Sequence, residues 1–220
     1  MSNAPPQPRV YETHVTVSCP DSAAYARLES WAARAGLKVT HIVLARGRTV
    51  SQPMLTLRDA VSYEDARAGA RALLARLAAD GFVPVRVKVE SAPWAPEVPR
   101  RPTDADGYFE HHVKLLLDAE FDRGALTSVA VAHGAHLSWN ARRPRDGGRH
   151  ERFVTQRCHA VDAGRAERAL DALLDALAGH EVMSVEREFV LYDSDLSLDD
   201  GWIGEGVGAC ATARVTESVR

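Results

Sequence analysis

The chain has 220 residues, of which 45% are hydrophobic and 26% charged, and its 30 acidic and 27 basic residues give a net charge of −3. Wholesale disorder is excluded by that composition, and without a basic excess there is no global field to draw in nucleic acid or an anionic membrane surface. No run is long and apolar enough to span a bilayer, so the expectation is a soluble, cytoplasmic protein.

Residues 1–9 carry three prolines and little to bury, and they read as a disordered leader. Tyr11 to Val17 alternates as a strand, with Tyr11, Thr13, Val15 and Val17 on a core face and Glu12, His14 and Thr16 on the other. Pro20 and Asp21 open a helix whose Ala24, Leu28, Trp31, Ala32 and Ala35 share one side, and Gly36 can end it in the left-handed conformation. Strands follow at Val39 to Ala45 and near Met54 to Arg58. Ser62 and Asp65 then start a helix with a stripe of Ala66, Ala70, Leu73, Leu74 and Leu77, which Asp80-Gly81 stops. A last strand runs from Val83 to Val89, with Arg86, Lys88 and Glu90 opposite its valines, and Pro84 places its start at a sheet edge.

Pro93, Pro96, Pro99 and Pro102 make the next stretch a stiff connector. The chain then repeats itself. Tyr11, Glu12, His14 and Val15 recur as Phe109, Glu110, His112 and Val113 at an offset of 98; Gly36 recurs as Gly134, Thr56 as Thr155, and Leu73, Leu74 and Leu77 as Leu173, Leu174 and Leu177 at offsets drifting to 100. Drift at turns is the mark of a duplicated unit with loop insertions. On the offset of 100, Arg86 answers Glu186 and Lys88 answers Glu188, and these opposite charges can pair across the two units. After the last strand the chain turns acidic and then glycine-rich, which reads as a turn ending in a frayed tail. The expected organisation is a leader (1–9), a first repeat (10–91), a linker (92–107), a second repeat (108–195) and a tail (196–220).

The order βαββαβ resembles the ferredoxin-like fold, an antiparallel sheet with both helices on one face. Two such sheets in one chain can cover each other's open faces or pair edge to edge. The expected class is α+β, a tandem duplication with two antiparallel sheets packed as a pseudo-twofold.

By parity the uncovered faces carry Glu12, His14, Thr16, Thr56, Arg58, Arg86 and Lys88 in the first unit, and Glu110, His112, Lys114, Ser138, Asn140, Thr155 and Arg157 in the second. Paired imidazoles among carboxylates and cations suit proton transfer to an anionic ligand. His14 and His112 are therefore the candidate catalytic residues, with Glu12, Thr16, Arg58, Lys88, Glu110, Lys114 and Arg157 as candidate ligand-binding residues.

Three sharper readings stay open. His14-Val15-Thr16 and His112-Val113-Lys114 resemble the paired His-x-Thr/Ser motifs of the two-histidine phosphoesterases, which implies His14 and His112 as general acid and base; Lys114 stands where that family has a hydroxyl. Glu110-x-His112-x-Lys114 resembles the Glu-x-Glu-x-Lys strand of the triphosphate tunnel metalloenzymes, which implies a triphosphate and a divalent metal, with Glu186 and Glu188 as added carboxylates. Glu12, His14, Glu110 and His112 are also suitable transition-metal ligands.

Elsewhere, His133 and His136 flank the Gly134 stop, where a cation is favourable, and Arg142, Arg143, Arg145, Arg149 and Arg152 make a solvated basic hairpin. Cys19, Cys158 and Cys210 lack metal-type spacing and are expected as free thiols. The leading functional expectation is binding, with turnover left open, of a phosphate-bearing or other anionic small molecule between the repeats. A non-catalytic interaction module is the alternative. No cofactor, metal or oligomeric state follows from the residues.

Overall fold

The computed structural model describes residues 11–58, 60–101, 107–141 and 148–202. The expected leader, residues 203–220 of the tail, part of the linker, and Arg142, Arg143, Arg145 and Cys210 lie outside them. In chain order the elements are β1 (Tyr11–Val17), α1 (Ser22–Arg34), β2 (Lys38–Leu44), β3 (Ser51–Leu57), α2 (Tyr63–Ala79), β4 (Pro84–Ser91), β5 (Tyr108–Leu117), α3 (Arg123–Ala132), β6 (Ala135–Asn140), β7 (His150–His159), α4 (Ala163–Ala176), β8 (Glu181–Asp193) and a 3-10 turn (Leu196–Asp199). No described helix is long and apolar enough to cross a membrane.

Each helix begins where a side chain can take an orphan backbone N–H. Asp21, Ser62, Asp122 and Asp162 accept from Ala24, Asp65, Ala125 and Arg165 in turn. Gly36 and Gly134 follow α1 and α3 at φ +68° and +65°, the left-handed geometry that favours glycine.

The expected packing of two sheets is overturned. All eight strands close into one antiparallel barrel in the order β1-β3-β2-β6-β7-β5-β8-β4. Each repeat supplies a four-stranded run, 4-1-3-2 in its own numbering, and the runs join edge to edge at β4–β8 and β2–β6. Edge pairing satisfies the backbone groups that two separate sheets would leave open. It also leaves the polar faces around a cavity, where stacking them would have desolvated every charge at once.

The strand residues that alternate with the lumen pack outward against the helices. Val15, Leu28, Leu55, Leu73 and Leu77 form one buried cluster under α1 and α2, and Val113, Leu126, Val154, Leu170, Leu173 and Leu177 form the other under α3 and α4. Each buried leucine contributes about 1.5–3 kcal/mol, so the apolar stability lies outside the barrel. The lumen is free to be polar.

Register corrects the alignment of the last strands. Lys88 sits opposite His14 on β1 and Glu186 opposite His112 on β5, so Lys88 answers Glu186 and Glu90 answers Glu188. Arg86–Glu186 and Lys88–Glu188 do not pair; Arg86 holds Asp193 and Asp199, and Lys88 holds Glu90 and Glu110. Pro84 opens β4 as its first residue, but β4 lies between β1 and β8. His136 belongs to β6, and Arg152 stacks over Trp139 at 5.1 Å. Cys19 is a free thiol, whereas Cys158 is disulfide-bonded, so the expectation of free thiols fails at Cys158.

Candidate functional site

The barrel encloses a cavity of about 410 Å³, within the range of small-molecule sites. Every residue assigned by parity to the uncovered faces lines it: Glu12, His14, Thr16, Thr56, Arg58, Arg86 and Lys88 from the first repeat, and Glu110, His112, Lys114, Ser138, Asn140, Thr155 and Arg157 from the second. His14 and His112 thus share one cavity.

The two histidines have matched surroundings. His14 Nδ1 lies 3.1 Å from Thr56 Oγ1 and its Nε2 lies 2.9 Å from Glu90 Oε2. His112 Nδ1 lies 3.0 Å from Thr155 Oγ1, and its Nε2 lies 3.2 Å from Glu110 and 3.4 Å from Glu188. An imidazolium donates from both nitrogens, and this placement of acceptors suits that form. Burial opposes charge on His112, but hydrogen bonds to Glu110 and Glu188 outweigh it and push its pKa up to about 10. For His14 burial is likewise opposed by Glu90, and the net shift is upward. The threonines that orient the rings come from β3 and β7, so Thr16, the hydroxyl of the His-x-Thr motif, is not the partner of His14.

The carboxylates break this symmetry. Lys88 lies between Glu90, 2.5 Å away, and Glu110, which also binds Arg157. Burial would raise Glu110 and Glu90, yet Arg157 and Lys88 hold Glu110 well below the usual carboxylate range, and Lys88 and His14 hold Glu90 below it. Glu188 stands where the first repeat has Glu90, but its register neighbour in kind is Glu186 rather than a lysine. Among the described residues its ion-pair partner is His112 alone. Burial and the nearby Glu90 therefore push Glu188 up to about 7.

Glu12–Arg58 and Glu110–Arg157 are the same pair in the two repeats. The first is 25% and 38% exposed by side chain, the second 1% and 6%. The difference marks an open and a closed end of the lumen. At the open end Lys114 meets Glu151 at 2.9 Å, and Lys38 and Glu186 are exposed. The closed end is stoppered by residues 196–202, part of the expected tail. Asp199 accepts from Gln52, Arg86 and Arg157, while Trp202 Nε1 donates to Leu137 O at 3.0 Å. His136 faces this stopper; burial, Arg46 and Arg157 lower its pKa to about 4, so it is a neutral ring and not the helix-end cation expected.

Gly47 lets the stopper seat. At φ +116° it passes so close that a Cβ would lie 2.9 Å from Trp202 N. Gly47→Ala is expected to cost about 1–3 kcal/mol, read as a lower urea midpoint; an unchanged midpoint would show that the stopper adds nothing to stability.

Glu12, His14, Glu110 and His112 do not form one ligand set. The donor atoms that do converge among the described residues are those of Glu90, Glu110 and His112, within 4.8 Å of one another, and the Lys88 ammonium already lies between the two carboxylates. Glu90, Gln52, Asp199 and Trp202 also line the cavity and were not among the expected site residues; Glu188, expected as an added carboxylate in the triphosphate reading, lines it too. Parity alone places Glu90 with Lys88, but no periodicity points to Asp199, which follows the last strand.

No protein-family model matches the chain, and no curated protein sequence does. Solved structures similar to it include the ligand-free regulatory subunit of aspartate kinase from Thermus thermophilus, at 17% identity and TM-score 0.32 over 76% of this chain and 93% of that one. Chlorite dismutase from Candidatus Nitrospira defluvii in complex with imidazole is similar at 13% identity and TM-score 0.28, over 82% and 90% of the two chains. At these values the likenesses carry no assignment.

Proposed function

We propose that the lumen binds a small anionic molecule, phosphate-bearing ligands being the leading class, and that His14 and His112 exchange protons with it. The observation that carries this reading is the charge balance of the wall. Six Lys/Arg residues face six Asp/Glu residues, so the two histidines decide the sign of the field. Both are shifted towards the imidazolium form, His112 up to about 10, so His112 adds a positive charge to the balanced wall at neutral pH, and a positive group in a buried cavity favours an anion.

The cations divide by availability. Lys88 and Arg157 are committed to Glu110. Arg58 and Lys114 pair with the half-buried Glu12 and Glu151 nearer the open end, where solvent makes the carboxylates weaker competitors than Glu110 is at the closed end. An entering anion is accordingly held first by Arg58, Lys114 and Lys38, with Glu12 beside them, and then reaches the imidazolium edges; Thr16 lies beyond them, level with Arg86. Glu188, poised near neutrality, is the group able to give or take the proton that His112 passes.

Thermal-shift measurements with inorganic phosphate, polyphosphates, nucleotides and divalent metals test the reading. A ligand at a hundred times its Kd stabilises by about 2.7 kcal/mol, or roughly 5–10 °C for a chain of this size. His14→Ala and His112→Ala should each remove most of that rise, and binding unchanged in both variants would sink the proposal. Affinity should also fall roughly tenfold or more between pH 6 and pH 8, as Glu188 ionises through about 7 and adds a negative charge to the wall. A flat panel would instead favour the interaction module.

A further inference from the structure

Asp199 is buried at 3% exposure although it belongs to no strand. Its Oδ2 accepts from Arg86 Nη1 at 2.7 Å and from Arg157 Nη2 at 2.9 Å, and its Oδ1 accepts from Gln52 Nε2 at 2.8 Å. Three donors from β4, β7 and β3 converge on one carboxylate. Each arginine also has a strand-borne acid, Asp193 for Arg86 and Glu110 for Arg157. The strands alone therefore leave one edge of each guanidinium turned to the same point with no anion to meet it. Paired guanidinium edges with an added amide donor form a recognition site for a carboxylate or phosphate group.

The twofold accentuates the point. Arg157 has a counterpart in Arg58, but Arg86 is answered by Ser184, so the arginine pair exists only at the end where residues 196–202 are seated. Besides the bonds of Asp199, those residues are held by the buried side chains of Leu198 and Trp202, the latter against Arg157 at 5.5 Å, and, among the described residues, by three further hydrogen bonds. Arg48 N donates to Asp200 O at 2.8 Å, Arg46 Nε donates to Trp202 O at 3.3 Å, and the Trp202 indole donates to Leu137 O.

We infer that Gln52, Arg86 and Arg157 form an anion subsite for the carboxylate or phosphate group of a small ligand. Asp199 is its resident occupant, and the ligand group binds by displacing residues 196–202. This rests on the reading that the lumen takes an anion, and adds where its charged group ends and what must leave.

The test is isothermal titration of the full chain with inorganic phosphate at constant ionic strength. Asp199→Asn keeps the shape and removes the competing charge, so phosphate should bind about tenfold tighter than to the parent protein. The gain should vanish when Arg86→Gln is added. Trp202→Ala, which removes the indole bond to Leu137 O and the ring that Arg157 lies over at 5.5 Å but keeps all three subsite donors, should also raise affinity. A folded Asp199→Asn protein with unchanged affinity, or a gain that survives Arg86→Gln, overturns the subsite. If neither Asp199→Asn nor Trp202→Ala folds, the segment is a fixed part of the barrel and the subsite is likewise overturned. Phosphate binding that depends on His14 and His112 but not on Asp199 would remove the subsite and leave the lumen reading standing. Absence of phosphate binding in the parent and in both variants would remove the two together.

Discussion

Glu110→Gln should lower the unfolding free energy by about 3–5 kcal/mol, because it strips the shared anion from two buried cations. Glu110 is 1% exposed and binds Lys88, Arg157 and His112. A neutral amide of the same size keeps the shape but leaves the Lys88 and Arg157 charges desolvated and under-compensated. The twofold mate is the internal control. Glu12 is 25% exposed and holds Arg58 nearer the open end, so Glu12→Gln should cost no more than about 1 kcal/mol. Urea unfolding of the two variants reads the contrast directly. Equal losses would mean that the closed end is as wet as the open one, and the description of the lumen would have to change.

Glu188→Gln should have the opposite sign, with an effect that grows from pH 4.5 and is full above pH 7. Its folded pKa of about 7 exceeds the ordinary value of 4.5. Below pH 4.5 the acid is protonated folded or unfolded, and the gap has no effect. As pH rises from 4.5 to 7 the unfolded chain sheds the proton first, so the native state loses stability, and the loss is complete above pH 7. The gap corresponds to roughly 3 kcal/mol as an upper bound. Because Gln removes the ionisation but weakens the contact to His112, a gain of about 1–3 kcal/mol at pH 8 is expected, with little change at pH 4.5. Destabilisation at pH 8 would show that the Glu188–His112 ion pair outweighs burial and the repulsion from Glu90, which removes Glu188 as a group poised near neutrality.

The local elements were legible because alternation and helical stripes are local. Val15 and Val17 against His14 and Thr16, or Leu73 and Leu77 in α2, identify their faces without any knowledge of neighbours. Parity was enough to place His14, His112, Lys88 and Arg157 on the face that became the lumen. Closure was not legible, since whether a sheet edge meets another edge depends on twist accumulated over eight strands. The partners of Lys88 were misread for a smaller reason. The helix stripes drift to an offset of 100, but β4 and β8 return to 98, and a two-residue slip keeps parity while exchanging Glu188 for Glu186. Asp199 left no signal because its burial depends on Arg86, Arg157 and Gln52, all more than forty residues away in sequence.

The two joints of the barrel are unequal, and that governs how it can move. Across β4–β8 the strands are tied by side chains as well as by the ladder: Arg86 to Asp193, Val87 N to Ser194 Oγ at 2.8 Å, and Lys88 past β8 to Glu110 on β5. Across β2–β6 only Ile42, Val43 and Leu44 find register partners, with single backbone bonds on either side, Ala45 N to Leu137 O and Ala141 N to His41 O. The first joint is a hinge and the second a clasp, and the amides of the clasp should exchange with solvent before those of the hinge. Trp202 is bonded to β6 through Leu137 and to the turn after β2 through Arg46, so it straddles the clasp. Unseating Asp199 therefore loosens the hoop at its weaker joint, and clearing the closed end and parting the two halves of the barrel become a single motion.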